Sequence, residues 1–210
     1  GLNAFKALGA SYAIHKLFPD GNVGLTVTAT DGNHGKGMAW STHRLGGHAV
    51  VFMPAGTVAS RVEAIRAIGD TEVTVTDLNY DGTVATAAAY AKEHGGHLVQ
   101  DTAFAGYEEV PENITLGYST MAAEALEELA ALGVGEPTHT FLQAGVGSMA
   151  GGVAAYLAET CKNPPAMAVG EAWESACVLE SIRQGRLVTI EGHTQTSMAG
   201  LNCGTPNPQV

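Results

Sequence analysis

Leu25-Thr26-Val27-Thr28-Ala29-Thr30 runs straight into Asp31-Gly32-Asn33-His34-Gly35, then into a helical stretch from Met38 to Leu45, then into Ala49-Val50-Val51-Phe52-Met53. The reading of these segments decides the fold. The first is short and β-branched, as a strand is. The last is wholly apolar and ended by Pro54, which marks a buried strand. Gly46-Gly47 closes the helix between them. Strand, helix and strand in this order make a parallel βαβ unit.

The alternation extends in both directions. Upstream, Leu8, Tyr12, Ile14 and Leu17 are compatible with a helix from Phe5, stopped by Pro19-Asp20-Gly21. Downstream, a helix is expected over Ser60 to Ile68, a strand over Glu72 to Thr76 and an alanine-rich helix over Asp81 to His94. A short strand follows at Leu98 to Gln100, then a long helix from about Ile114 to Leu132 and a strand at Thr138 to Gln143. Gly145 to Gly152 reads as a glycine-rich turn before a helix at Val153 to Thr160. A strand at Met167 to Gly170, a short helix from about Ser175 to Gln184 and an irregular tail from Thr189 complete the chain. The fold class expected is α/β: open, mostly parallel twisted sheets with helices on both faces and right-handed crossovers. Gly133-Val134-Gly135-Glu136-Pro137 is the plausible division, giving units 1–133 and 134–210.

At 210 residues with 27 glycines, the chain has ample core and is too rich in glycine for a helical bundle. A net charge of −11 disfavours nucleic acid and anionic membrane surfaces as partners. Three cysteines (Cys161, Cys177, Cys203) without paired spacing fit free thiols in a reducing, cytoplasmic compartment. There is no signal peptide and no apolar run of transmembrane length. The eight histidines lack paired ligand spacing, so no metal is expected. The chain lacks an initiator methionine and begins within a helix, which reads as a fragment incomplete at both ends.

In open α/β sheets, ligands bind beyond the carboxyl ends of the strands. Three loops with unusual chemistry follow strands here: Asp31 to Gly35, Asp101 to Tyr107, and Gly145 to Gly152. The last is a candidate anion cradle, in which glycines let backbone N–H groups converge beside a helix N-terminus. It lacks the Lys-Ser/Thr ending of a P-loop; its ordinary reading is a tight turn for helix–sheet packing. Asp31 and Asn33 offer a proton-exchanging carboxylate and an amide, although both are good turn and cap residues. Asp101 is either a functional carboxylate or a cap. Lys6, in Asn3-Ala4-Phe5-Lys6-Ala7-Leu8-Gly9-Ala10, has apolar neighbours; desolvation favours the neutral amine that attacks carbonyls, whereas an ordinary lysine there snorkels to water. Lysine, amide and phosphate cradle are together what a pyridoxal-phosphate site requires.

Phe5-Lys6-Ala7-Leu8-Gly9-Ala10, Thr30-Asp31-Gly32-Asn33-His34-Gly35-Lys36-Gly37 and Ala144-Gly145-Val146-Gly147-Ser148-Met149-Ala150-Gly151-Gly152 come in the order found in fold type II, tryptophan synthase β-like enzymes. Within these, the chain resembles the diaminopropionate ammonia-lyases. The likeness includes Asn79-Tyr80-Asp81, Val99-Gln100-Asp101-Thr102-Ala103 and Met198-Ala199-Gly200-Leu201-Asn202-Cys203-Gly204, so it covers essentially the whole chain. The resemblance implies pyridoxal 5'-phosphate as cofactor and α,β-elimination on 2,3-diaminopropionate to pyruvate and ammonia, a carbon–nitrogen lyase reaction. It implies that Lys6 holds the cofactor and is the base for the L-isomer, with Asp31 acting on the D-isomer. Asp101 would assist the substrate's amino group or the D-isomer reaction. Asn33 would meet the ring O3′, and Gly145, Val146, Gly147, Ser148 and Met149 the phosphate. It also implies a homodimer for the full-length protein, a small amino-acid substrate, and a C-terminal residue at the pyridine nitrogen that nothing here supplies. The connection from Phe18 to Gly24 is short for the family. Two alternatives stand: another β-eliminating enzyme such as a threonine/serine dehydratase, and a non-catalytic module binding a phosphorylated small molecule. The dehydratases carry a small residue where Asp31 stands and a run of glycines in place of Gly145 to Met149.

Overall fold

The computed structural model describes residues 2, 4–190 and 196–210. Asn3, at the start of the lysine segment, and part of the tail after Thr189 lie outside the described residues. By its contacts the chain forms two units, residues 1–101 with 109–117, and residues 102–108 with 118–210.

In the first unit, helix α1 (Lys6–Leu17) precedes strand β1 (Leu25–Ala29), helix α2 (Asn33–Arg44), strand β2 (His48–Met53), helix α3 (Ala59–Arg66), strand β3 (Thr71–Val75), helix α4 (Tyr80–Glu93) and strand β4 (His97–Leu98). The four strands are parallel in the order β3-β2-β1-β4, so the last strand in sequence pairs with the first. β1 shows how its residues cover two faces, because successive side chains point to opposite sides. Thr26 turns to α2, its hydroxyl bonding the Met38 sulfur and the Thr42 hydroxyl. Val27 and Ala29 turn the other way and pack with Val50, Phe52, Ala87 and Ala91, the last two from α4. The expected helices on both faces are thus present around β1.

Helices α5 (Glu109–Ala131) and α6 (Ser148–Thr160) begin earlier than local sequence signals predict. Helix α5 starts well before Ile114, because Pro111 falls in its first turn, where a missing N–H costs nothing. In the second unit, helix α6 starts before Val153 and takes Gly151-Gly152 into its interior. Gly151 serves close packing: a Cβ there would lie 2.6 Å from Val210 Cγ1. Strands β5 (His139–Gln143) and β6 (Ala166–Gly170) form a parallel pair, followed by helix α7 (Cys177–Gln184). Ala122, Val153, Leu157 and Cys161 form this unit's core, while Phe141 on β5 is 80% exposed.

α1 is held in the first unit by backbone contacts that only glycine permits. A Cβ on Gly37 of α2 would lie 2.7 Å from the Ala7 nitrogen and 2.8 Å from the Lys6 carbonyl carbon. A Cβ on Gly117 of α5 would lie 2.7 Å from both the Gly9 Cα and the Leu8 oxygen.

Candidate active site

Lys6 opens α1, and its Nζ donates to Asp101 Oδ2 at 2.6 Å. The side chains are 21% and 9% exposed. An amine expected among apolar neighbours is therefore ion-paired, by a residue 95 positions away. Such charge-assisted contacts are short and strong. Burial alone would raise the pKa of Asp101; the adjacent Lys6 ammonium is the largest opposing influence, and the carboxyl is held well below the usual carboxylate range.

Gln100 sets the position of Asp101. β4 ends at Leu98, yet Val99 N still donates to the Val27 oxygen at 2.8 Å. The Gln100 amide then extends the pairing: its Oε1 accepts from Thr28 Oγ1 at 3.0 Å and Ala29 N at 3.1 Å, and its Nε2 donates to the Tyr80 hydroxyl at 2.8 Å. Gln100 is buried, and its signal in the sequence was a polar residue continuing an apolar run.

The Asp31 to Gly35 loop is shorter than its glycines imply, because α2 begins at Asn33. Thr30 organises it: its hydroxyl oxygen accepts from Gly32 N at 2.9 Å and Gly35 N at 3.1 Å. This supplies the acceptor that an N-cap side chain would have provided. Asn33 stands exposed in the first turn of α2. Asp31 is exposed too, yet the protein beneath it raises its carboxyl pKa, against the lowering pull of Arg61. Arg61 also donates to the Asp31 carbonyl oxygen at 3.0 Å. The structure joins Lys6 to Asp101 directly, and both are near enough to Asp31 to affect its proton affinity, though less than burial and Arg61 do.

The second unit carries the glycine loop. Gly147 is the N-cap of α6 with φ 95°, and no acidic residue occupies the first turn. Gly145, Val146, Gly147, Ser148 and Met149 thus lead into and open this helix, where N–H groups and the helix dipole favour an anion. Asn207, fully buried, braces this loop: its backbone N donates to the Val146 oxygen at 2.7 Å and its Nδ2 to Ser148 Oγ at 2.9 Å. Pro206-Asn207-Pro208 reads only as a turn in sequence. Cys177 lies against the same loop, its thiol donating to the Gly145 and Cys203 oxygens. Burial first, and Glu171 second, push that thiol up to about 11, which leaves it unreactive at neutral pH.

Taken each by itself, the first unit offers an amine paired with a carboxylate, which suits an aldehyde, and the second offers a helix N-terminus, which suits a phosphate. The ion pair has a pH signature. Because the folded pKa of Asp101 is lowered, its stabilisation is complete above the unfolded carboxyl value of about 4 and is lost as pH falls through the folded value. Urea midpoints measured from pH 7 to 2 are expected to fall more steeply below about pH 4 in the wild type than in Asp101→Asn. Parallel curves would contradict the pairing.

The family model for pyridoxal-phosphate dependent enzymes matches residues 2–210. A diaminopropionate ammonia-lyase from Escherichia coli (strain K12) is 43% identical over 228 residues, covering 99% of this chain and 56% of that protein. The crystal structure of the Escherichia coli enzyme with an aminoacrylate-PLP azomethine reaction intermediate superposes with a TM-score of 0.88 and 43% identity, over 99% of this chain and 55% of that one. An L-threonine dehydratase from Haemophilus influenzae is more distant, at 31% identity over 88% of this chain and 33% of that protein. The chain spans a little over half the length of the ammonia-lyases it matches. With a parallel α/β fold, a lysine at the opening of α1 and a glycine loop leading into α6, it belongs to the pyridoxal-phosphate dependent enzymes of fold type II.

Proposed function

We propose that this chain is the lysine-bearing part of an ammonia-lyase that performs α,β-elimination on 2,3-diaminopropionate, giving pyruvate and ammonia. The observation that carries this reading is the Lys6 amine held at 2.6 Å by Asp101, with Asp31 as a second carboxylate in the same cluster. A pair of carboxylates beside the lysine suits an enzyme that handles both stereoisomers. Relatives of that name, and an aminoacrylate complex in one of them, support it.

Pyridoxal 5'-phosphate, when bound, supplies a ring that accepts the negative charge left as the substrate's α-proton departs. Lys6 would hold the group through Nζ and take the α-proton of the L-isomer. Asp31 would take it from the D-isomer on the opposite face, and the raised proton affinity of this carboxyl suits a base. Asp101 would hold the charge of Lys6 and assist the substrate's amino group. Asn33 would contact the ring O3′, and Gly145, Val146, Gly147, Ser148 and Met149 would hold the phosphate by backbone N–H groups. Residues 1–133 would then serve as the lysine domain and 134–210 as the phosphate domain. The same reading makes the whole protein a cytoplasmic homodimer acting in amino-acid catabolism. Free cysteines support a reducing compartment, and no described helix is long and apolar enough to cross a membrane.

The test is a visible spectrum of the protein with pyridoxal 5'-phosphate, borohydride reduction, mapping of the modified lysine, and product analysis. Modification at Lys6, with two ammonia per pyruvate from diaminopropionate, is the expected result. Modification elsewhere refutes the site, and activity confined to serine or threonine refutes the substrate.

A further inference from the structure

His34 enters the site from the first turn of α2 and is buried. Its Nε2 lies 2.7 Å from the Val99 carbonyl oxygen. A carbonyl oxygen only accepts, so Nε2 carries a hydrogen. In the neutral ring, Nδ1 is then a bare lone pair, and this buried atom has no hydrogen-bond partner. It faces Asp101 Oδ2 at 3.7 Å, the same oxygen that accepts from Lys6. One carboxylate oxygen thus has two nitrogens facing it, one bonded and one about 0.5 Å beyond hydrogen-bond range.

A carboxylate this buried needs a cation beside it. Lys6 is that cation here, but a lysine that attacks an aldehyde must first give up its ammonium charge. We propose that His34 is the relief counter-ion of Asp101: when Lys6 loses its charge, His34 gains a proton on Nδ1 and pairs with the vacated Oδ2. One N–H bond breaks at Nζ and one forms at Nδ1, with Oδ2 between them. The cluster keeps its net charge, and no proton has to leave the buried site. His34 is a positioning residue in this scheme, acting through Asp101. The charged groups around the cluster are Lys6 on α1, Asp31 before α2, Asp101 after β4, and Arg61 on α3 beyond Asp31. Of these four groups only Lys6 changes charge when it becomes a nucleophile, and His34 takes up the charge it loses.

The inference deepens the function proposed above and rests on it only for the role of Lys6 as nucleophile. Its test uses the full-length protein without cofactor, so the two can fail separately. Histidine-labelled protein is titrated by NMR, and the His34 signal is assigned by its loss in His34→Gln. An ammonium at Oδ2 opposes protonation of His34, and the Asp101 carboxylate favours it. Lys6→Met is therefore expected to raise the proton affinity of His34 about tenfold, moving its midpoint up by about one pH unit. The rise should vanish in Lys6→Met combined with Asp101→Asn. Lys6→Gln gives the same reading if the methionine variant does not fold. A midpoint unmoved by loss of the Lys6 charge, or a rise that survives Asp101→Asn, overturns the proposal.

Discussion

Lys6→Ala is expected to abolish covalent capture of pyridoxal 5'-phosphate and to lower ammonia release by on the order of 10³-fold or more, because it removes the amine proposed to carry the group. The same change strips the buried Asp101 of its ammonium partner. Breaking a fully buried pair costs about 3–5 kcal/mol, and the partial exposure of Lys6 reduces this to about 2 kcal/mol. Lys6→Arg separates the two effects. A guanidinium preserves the charge opposite Asp101 but stays protonated, so it cannot attack an aldehyde. Its stability should stay within about 1 kcal/mol of wild type while capture is lost. Chemical denaturation and absorbance of the loaded protein measure both quantities. Retained capture in Lys6→Arg would exclude Lys6 as the anchor.

Gly37→Ala is the second large effect, although the side chain added is a single methyl group. Its Cβ would meet the backbone of Ala7 and Lys6, at 2.7 and 2.8 Å, and backbone cannot yield as a flexible side chain does. α1 and α2 must separate, at a cost of about 1–3 kcal/mol for overpacking. The displaced residue is the one that carries the amine. A shift near 1 Å at a reacting group costs on the order of 10²-fold in rate, so turnover should fall by about 10- to 100-fold with secondary structure intact. Gly135→Ala is the control, because a Cβ there meets nothing within 4 Å. Equal behaviour of the two variants, in urea midpoint and turnover, would show that the close approach is unimportant.

The alternation of β-branched or apolar runs with helical stretches was enough to establish a parallel α/β fold. These signals are local: they arise from side-chain spacing along a strand or helix and need no knowledge of neighbours. Lys6, Asp31, Asp101, Asn33 and the Gly145 to Met149 loop stand out in the sequence as candidates beside strand ends and helix starts, and the structure brings Lys6 and Asp101 into contact. The helix starts themselves were not. Gly35 and Gly151 look like loop residues, yet the structure uses them where a Cβ would collide with Thr30 or Val210. Glycine signals a turn locally and close packing globally, and only the packing partner distinguishes the two. The environment of Lys6 shows the same division. The sequence determined that it is a lone lysine among apolar residues, which suits a neutral nucleophile. Tertiary structure decided that it meets Asp101, because β4 pairs with β1 rather than with β3, its predecessor in the chain. That pairing brings the end of β4, extended by the Gln100 amide, beside the opening of α1 and α2. There the Lys6 ammonium and the Nδ1 of His34 face one oxygen of the Asp101 carboxylate. Strand order depends on which surfaces bury each other, a property of the whole unit that no local spacing records.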